Sequence, residues 1–249
     1  MNPTACLLVI GNEVLSGRTQ DANTVYLARR LGELGIPLRE VRIIPDVADT
    51  IVQTVNEVRA RYDHVFTTGG IGPTHDDITS ECIAAAFGVP WEKQPEVWAR
   101  MEAHYPAGGF NAARQRMATM PRGAVLIDNG HVAPGFSIGN VHVMAGVPSI
   151  MRLMFEALAP TLQGGTPIVS RSVHATGLRE GDIAAGLSDI QDRNPSLDIG
   201  SYPYAQDGSA GVAIVAKGTD RNAADNAIAE VAALFRGLGV EPVSGEPKQ

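Results

Sequence analysis

The stretch His64-Val65-Phe66-Thr67-Thr68-Gly69-Gly70-Ile71-Gly72-Pro73-Thr74-His75-Asp76-Asp77 runs a short β-branched and aromatic segment into three glycines within four positions, and then into two adjacent acids. It reads as a strand, a tight Gly-rich turn and the start of a helix that ends at Gly88. Upstream, the continuous apolar run Ala5 to Ile10 is a first strand, and Leu27, Leu31 and Leu34 recur at helical spacing before Gly35 and Pro37. Leu38 to Ile44 is a second strand, and Asp49 stands where it can cap a helix whose Ile51, Val55 and Val58 share one face. Strand, helix, strand, helix in this rhythm predicts right-handed βαβ crossovers and a mostly parallel sheet covered on both faces.

Residues 91 to 121 interrupt the rhythm with two helix-like stretches carrying Trp91, Trp98, Met101, Tyr105, Met117 and Met120, a stripe expected to pack in a core. Val125 to Ile127 and Val141 to Ala145 read as returning strands and Pro148 to Leu158 as a helix. Gln163-Gly164-Gly165-Thr166-Pro167 is the strongest linker signal. Beyond it, strands at Ser170 to Ala175, Leu197 to Tyr202 and Gly211 to Lys217 alternate with helices at Asp182 to Asp192 and Asn222 to Gly237, spelling βαββα. The fold class is therefore α/β: a three-layer α/β/α domain over residues 1–163 and a small α+β module over 168–245.

Composition narrows the function. The 249 residues are 44% hydrophobic and 19% charged, ordinary globular usage, and the net charge of −7 lacks the basic excess with which nucleic-acid binders meet phosphate backbones. No apolar run approaches the ~20 residues of a membrane helix, and the N-terminal Met1-Asn2-Pro3-Thr4 carries no Lys or Arg of the kind that opens a signal peptide. Cys6 and Cys82, the two cysteines, lie in apolar runs and make no disulfide framework, which fits buried thiols in a cytoplasmic protein.

In an open parallel sheet, ligands bind beyond the carboxyl ends of the strands. The loops in that position are Gly11 to Asn23, Pro45-Asp46, Gly69 to Asp77, and Gly146-Val147-Pro148-Ser149. Glycines at the third loop let the backbone approach a ligand, and the following helix aims N–H groups at the same place, which suits a diphosphate. The Lys of a G-x-x-x-x-G-K-[ST] loop and the G-x-G-x-x-G fingerprint are both absent. Asp76 and Asp77 repel a bare phosphate, and with Asp46 nearby the repulsion is resolved by a hard divalent cation bridging carboxylate and phosphate oxygens. Each feature also has a plainer reading: a tight turn, a helix cap, or, for Glu13 and Asp21, solvated loop acids. His75 is a weaker ligand for such a cation, His104, His131, His142 and His174 show no metal-ligand spacing, and no G-x-S-x-G elbow occurs.

Four ordered stretches, Gly11-Asn12-Glu13-Val14-Leu15-Ser16-Gly17 running to Asp21-Ala22-Asn23, Thr68 to Thr79, Ala133-Pro134-Gly135-Phe136, and Gly146-Val147-Pro148, resemble the competence/damage-inducible protein A (CinA) family of the molybdopterin-binding MoaB/MogA-like superfamily. The resemblance spans about residues 5 to 160, and the tail looks like the KH-like module that follows this domain in CinA. The 249 residues do not include the nicotinamide-nucleotide amidase domain of full-length members. The family departs from this chain at Asp128-Asn129-Gly130-His131-Val132, where N-P-x-G-T is usual, and at Ile150, where Glu is usual.

The resemblance implies metal-dependent hydrolysis of a nucleotide diphosphate, with ADP-ribose or FAD as substrate and Mg²⁺, Mn²⁺ or Co²⁺ as cofactor. Carried over by motif, Asp46 and Asp77 are the catalytic and metal-holding pair, and Gly69, Gly70, Gly72, Pro73, Thr74, Asp76 and Thr79 form the phosphate loop and its flank. Gly11, Asn12, Glu13, Asp21 and Asn23 belong to the first-loop motif, Gly146, Pro148 and Ser149 to the last, and Arg116 falls where a basic residue faces the phosphates. The rival readings are molybdopterin binding with adenylyl transfer and a non-catalytic nucleotide sensor. The superfamily resemblance also implies a homo-oligomer, dimer or trimer. Nucleic-acid and membrane partners are not expected, since the tail lacks a G-x-x-G loop flanked by basic residues.

Overall fold

The computed structural model describes residues 2–130, 132–206 and 208–247, so the expectation for His131 lies outside the described residues. The chain divides into two compact units, Met1–Gly165 and Thr166–Gln249.

In the first unit, β1 (Ala5–Ile10) is buried along its whole length. It pairs in parallel with β2 (Leu38–Ile44) on one side and β3 (His64–Thr68) on the other. The sheet continues through β8 (Val141–Met144), parallel to β3, and then through β7 (Gly135–Ile138) and β6 (Val125–Ile127), both antiparallel to their neighbours. The six strands lie in the order β2-β1-β3-β8-β7-β6.

Successive side chains of a strand point to opposite faces, and β1 uses both. Ala5, Leu7 and Val9 pack with Leu27 and Leu31 of α2 (Asn23–Glu33) and with Met151, Met154 and Phe155 of α7 (Pro148–Leu158). Cys6, Leu8 and Ile10 pack on the other face with Ile51, Val55 and Val58 of α3 (Ala48–Arg59) and with Cys82 and Ile83 of α4 (Thr79–Phe87). This sandwich is the expected three-layer α/β/α arrangement. Burial pushes the Cys6 thiol up to about 12 and the Cys82 thiol up to about 11, so both are inert packing groups at neutral pH.

The structure corrects three local expectations. Asp49 does not cap α3: the helix starts at Ala48 with Val47 as its cap residue, and Asp49 sits in the first turn, where its charge favours the helix dipole. Trp91 and Met120 are strand residues, because β4 (Trp91–Lys93) pairs with β5 (Thr119–Pro121) around α5 (Pro95–His104) and α6 (Ala112–Arg116). β7 was not expected, and its Gly135 is required where an added Cβ would lie 2.5 Å from the Val143 carbonyl oxygen on β8.

The second unit adds one short strand to the expected βαββα. Its elements are β9 (Val169–Thr176), α8 (Glu180–Arg193), β10 (Asp198–Gln206), β11 (Ser209–Gly218), α9 (Arg221–Gly237) and β12 (Val243–Ser244). The antiparallel sheet runs β10-β11-β9-β12, and its core joins Val173, Val212 and Ile214 to Ile183, Ile190, Val231 and Phe235 of the helices. Asp220 caps α9 by accepting from the Asn222 and Ala223 amides at 2.9 and 3.1 Å. Among the described residues no helix of the chain is long and apolar enough to cross a membrane.

Glu156 on α7 ties the two helices of one layer together. It accepts from Arg30 Nε and Nη2, each at 2.8 Å, and from the Tyr26 hydroxyl. Hydrogen bonds from Arg30, then from Tyr26, lower its carboxyl from 4.5 to about 2. A depressed carboxylate contributes stability above its unfolded pKa and loses that contribution as pH falls toward the folded one. Solvent screening keeps the term near or below ~1 kcal/mol. Glu156→Gln is expected to lower Tm by a few degrees at about pH 7, with the gap closing between 4.5 and about 2; calorimetry across that range checks it.

Candidate functional site

Because β1, β2, β3 and β8 are parallel, the residues that follow them meet along one edge of the sheet. Gly69 is the point of closest approach. Its φ of +103° is left-handed, and an added Cβ would sit 2.1 Å from the Ile10 carbonyl oxygen. Gly146 lies against it, with an added Cβ there 3.2 Å from Gly69 Cα. The Gly69 amide donates to the Met144 carbonyl at 3.2 Å, and the Gly11 amide to the Ile44 carbonyl at 3.1 Å. Gly70, at φ +68°, turns the chain so that its carbonyl accepts from the Thr79 amide at 2.9 Å, opening α4.

The first loop contains a short helix, α1 (Asn12–Leu15), whose Asn12 amide donates to Asp46 Oδ2 at 2.8 Å. Farther along, Asp21 Oδ1 accepts from the Asn23 amide at 2.9 Å and so shapes the start of α2. Asn23 is buried and donates through Nδ2 to the Gly146 carbonyl at 2.9 Å, joining the first and last loops. Asp21 and Asn23 thus serve the scaffold of the edge. The Glu13 carboxylate folds back over Gly11, where an added Cβ would meet its Oε2 at 2.5 Å.

The acids after the glycine turn are held by Thr74. Asp77 Oδ2 accepts from the Thr74 amide at 2.8 Å and is also met by the Thr74 hydroxyl, which lies 2.5 Å from Asp76 Oδ1 as well. The Thr74 hydroxyl is the main reason that the Asp76 carboxyl is held below its ordinary value. Asp46 is shifted upward. Burial is the largest cause, the Asn12 amide opposes it, and the charges of Glu13, Asp76 and Asp77 add to it. Acids from three loops therefore act on one another across the edge.

Among the described residues, buried polar atoms without a hydrogen-bond partner include Asn23 Oδ1, Thr68 Oγ1, Thr79 Oγ1 and Arg116 Nε at or beside this edge. Unpartnered buried polar atoms are uncommon in folded proteins, and these fit a polar ligand. No three His, Cys, Asp or Glu side chains form a metal-holding group among the described residues. The donors suit instead a Mg²⁺-type ion, which takes one or two carboxylates and completes its octahedron with phosphate oxygens and water.

Beside Asp77 lies a small cleft that includes Ile71, Ser80, Trp91, Arg116, Ala133 and Pro134. Arg116 Nη2 donates to the Asp77 carbonyl at 3.3 Å and lies 3.5 Å from Glu81 Oε2, with its guanidinium 5.0 Å from the Trp91 ring centre. The indole is fixed in turn, donating to the Thr119 carbonyl at 2.9 Å and lying 3.0 Å from Ser80 Oγ. Sequence reading placed Trp91 in the core stripe and did not single out Ser80. The signal available was Ala133-Pro134, noted as a motif, since its partners across the cleft are fixed by the β4–β5 pairing. Ser149 and Pro148 are exposed at the start of α7, His75 is exposed, and Ile150 packs toward the core. Asp128 is engaged by Arg100, at 2.9 Å from both nitrogens.

With this geometry in place, comparison with known proteins is informative. The family described as "Probable molybdopterin binding domain" matches residues 6–164, and "FAD synthase, middle domain" matches residues 167–243. A CinA-like protein of Synechococcus sp. (strain CC9902) is 35% identical over 233 residues, covering 88% of this chain and 55% of its own. A CinA-like protein of Parasynechococcus marenigrum (strain WH8102) is 34% identical over 244 residues, covering 92% and 57%. The chain thus spans about half the length of these curated relatives. The solved structure of the protein CinA from Thermoplasma acidophilum, 28% identical, overlays with a TM-score of 0.59 over 64% of this chain and 97% of its own. Fold and site together define a three-layer α/β domain of the molybdopterin-binding class. The chain belongs to that family, in its CinA-like branch.

The edge geometry gives a direct test. Gly69→Ala forces a side chain against the Ile10 backbone at positive φ and is expected to cost roughly 3 kcal/mol or more. Gly17→Ala, at φ +72° with open space around it, is expected to cost only about 1 kcal/mol. Urea denaturation of the two variants side by side measures the difference.

Proposed function

We propose that the carboxyl edge of the six-stranded sheet binds a nucleotide diphosphate and hydrolyses its phosphoanhydride, with ADP-ribose or FAD as substrate. The observation that carries this reading is a half-buried Asp46 that feels the charges of Glu13, Asp76 and Asp77, together with a glycine turn whose neighbouring Thr68 and Thr79 hydroxyls are buried without a partner. The match of residues 167–243 to the middle domain of FAD synthase supports a nucleotide ligand for the chain. Asp46 and Asp77 would hold Mg²⁺, Mn²⁺ or Co²⁺, which supplies charge neutralisation at the phosphates and a more acidic water.

The chain's own groups do the rest. Backbone N–H groups of Gly70 to Gly72 and the amino end of α4 would face the phosphoryl oxygens, where preorganised donors lower the barrier. Arg116, steadied by Trp91 and Glu81, balances charge on the departing phosphate. Water oxygen bonds to phosphorus as the bridging P–O bond breaks, so ADP-ribose gives AMP and ribose 5-phosphate.

The description of the matched family favours a second reading, molybdopterin binding, for which the expected chemistry is adenylyl transfer. One assay separates them: AMP release from ADP-ribose and FAD with each metal, and ATP turnover with molybdopterin. Metal-dependent AMP supports the hydrolase. Turnover of ATP with molybdopterin and no AMP from the dinucleotides overturns it, and nucleotide-induced stabilisation without any turnover leaves a binding protein.

Asp77→Asn is expected to reduce AMP release by roughly a hundredfold or more with Tm nearly unchanged. Asp46→Asn is expected to lose activity and, in chelator, to raise Tm, because it removes a charge disfavoured by burial and by three neighbouring acids. Parallel turnover and thermal-melt measurements check both.

A further inference from the structure

At the opposite, amino-terminal edge of the same sheet lies a cavity of about 470 Å³, a volume typical of small-molecule sites. It is walled by apolar side chains including Leu126, Ile127, Leu158 and Leu162, and one side is polar. There Ser137 Oγ is 2.8 Å from His142 Nδ1, His142 Nε2 is 3.2 Å from His64 Nδ1, and His64 Nε2 is 3.3 Å from the Gln163 carbonyl oxygen.

The end of this chain fixes its polarity. A carbonyl only accepts, so His64 carries its proton on Nε2 and, when neutral, accepts at Nδ1. His142 must then donate from Nε2 and accept at Nδ1, and the proton it accepts comes from the Ser137 hydroxyl. The lone pairs of Ser137 Oγ are thereby left for the cavity. Asp63 adds negative charge: its Oδ2 takes the amide and hydroxyl of Thr4, and no Lys or Arg is ion-paired with it among the described residues. Asp128, the other acid of the lining, is compensated by Arg100.

We propose that this cavity is a second ligand site, specific for a small organic cation with an apolar body, whose N–H groups meet Ser137 Oγ and the Asp63 carboxylate. Nothing in it depends on the diphosphate reading of the opposite edge.

Burial, with the charge of His64 second, pushes the His142 imidazole down to about 3, so His142 is neutral at neutral pH. The charged groups around the site are Asp63 at the head of β3 and Asp128, which is paired with Arg100. The residues that α7 and the segment after it contribute to the lining, Ala157 to Gln163, carry no charge.

Imidazole-nitrogen NMR of the full chain tests the proposal, with benzylammonium as probe and benzoate as control. At about pH 8, His64 and His142 are expected as Nε2–H tautomers, and millimolar benzylammonium, not benzoate, is expected to shift both. Binding is expected to weaken about tenfold in Asp63→Asn and to weaken also in Ser137→Ala, each variant checked for an unchanged melt. An Nδ1–H tautomer for neutral His142, no shift with benzylammonium, or equal shifts with benzoate would overturn it.

Discussion

An added Cβ at Gly69 would fall 2.1 Å from the Ile10 carbonyl and one at Gly146 would fall 3.2 Å from Gly69 Cα, so three strand ends meet where only glycine fits. This approach sets the spacing of everything above the sheet. With β1, β3 and β8 drawn together, Asn23 reaches the Gly146 carbonyl from the start of α2, and the turn through Gly70 hands the chain to α4 at Thr79. Asn12, one residue beyond Gly11, then meets Asp46 from the neighbouring strand. The side chains that gather charge are therefore positioned by backbone contacts, with little help from their own packing.

That charge lacks the arginine partners that several other acids have: Arg42 binds Glu40 and Glu57, Arg122 binds Glu92, Arg100 binds Asp128, and Arg30 binds Glu156. At the carboxyl edge Asp46 is half-buried and feels Glu13, Asp76 and Asp77, while Arg116 pairs with Glu81 and reaches only the Asp77 carbonyl. Uncompensated acids cost stability in the absence of a ligand, and clustered, shifted carboxyls mark functional sites more often than structural ones. Proteins keep such strain where a ligand relieves it, which is the physical argument behind the proposed polyanion and counter-ion at this edge.

Much of this was legible in the sequence, for identifiable reasons. Ala5 to Ile10 is apolar at every position because it is buried on both faces, and Leu27, Leu31, Ile51, Val55 and Val58 keep the period of helices packed on one side. The glycine turn and the acids after it are contiguous, so their chemistry is local. The misses are non-local. Gly135 to Ile138 is too short and too broken by Pro134 to show a strand pattern, and it forms one because β6 and β8 flank it. Trp91 pairs with Pro121 and Met120 with Glu92 across nearly thirty residues of helix and loop, which no periodicity reports. For the same reason the indole beneath Arg116 was read as core. Asp49 was assigned a cap because composition cannot say whether the turn at Pro45-Asp46 leaves one residue or three before the helix.

The two edges of the sheet are not independent pieces of chemistry. β3 and β8 pair with Phe66 opposite His142 and Thr68 opposite Met144, and that single register places His64 beside His142 at one end and Gly69 against the strand end at the other. A slip of one residue turns every side chain of a strand to the opposite face. Such a slip of β3 would part His64 from His142 and would carry Gly69 away from the Ile10 carbonyl. Full burial of β1 and the apolar contacts of Val65, Val141 and Val143 resist such a slip, so the core that fixes the register also fixes the chemistry available at both edges.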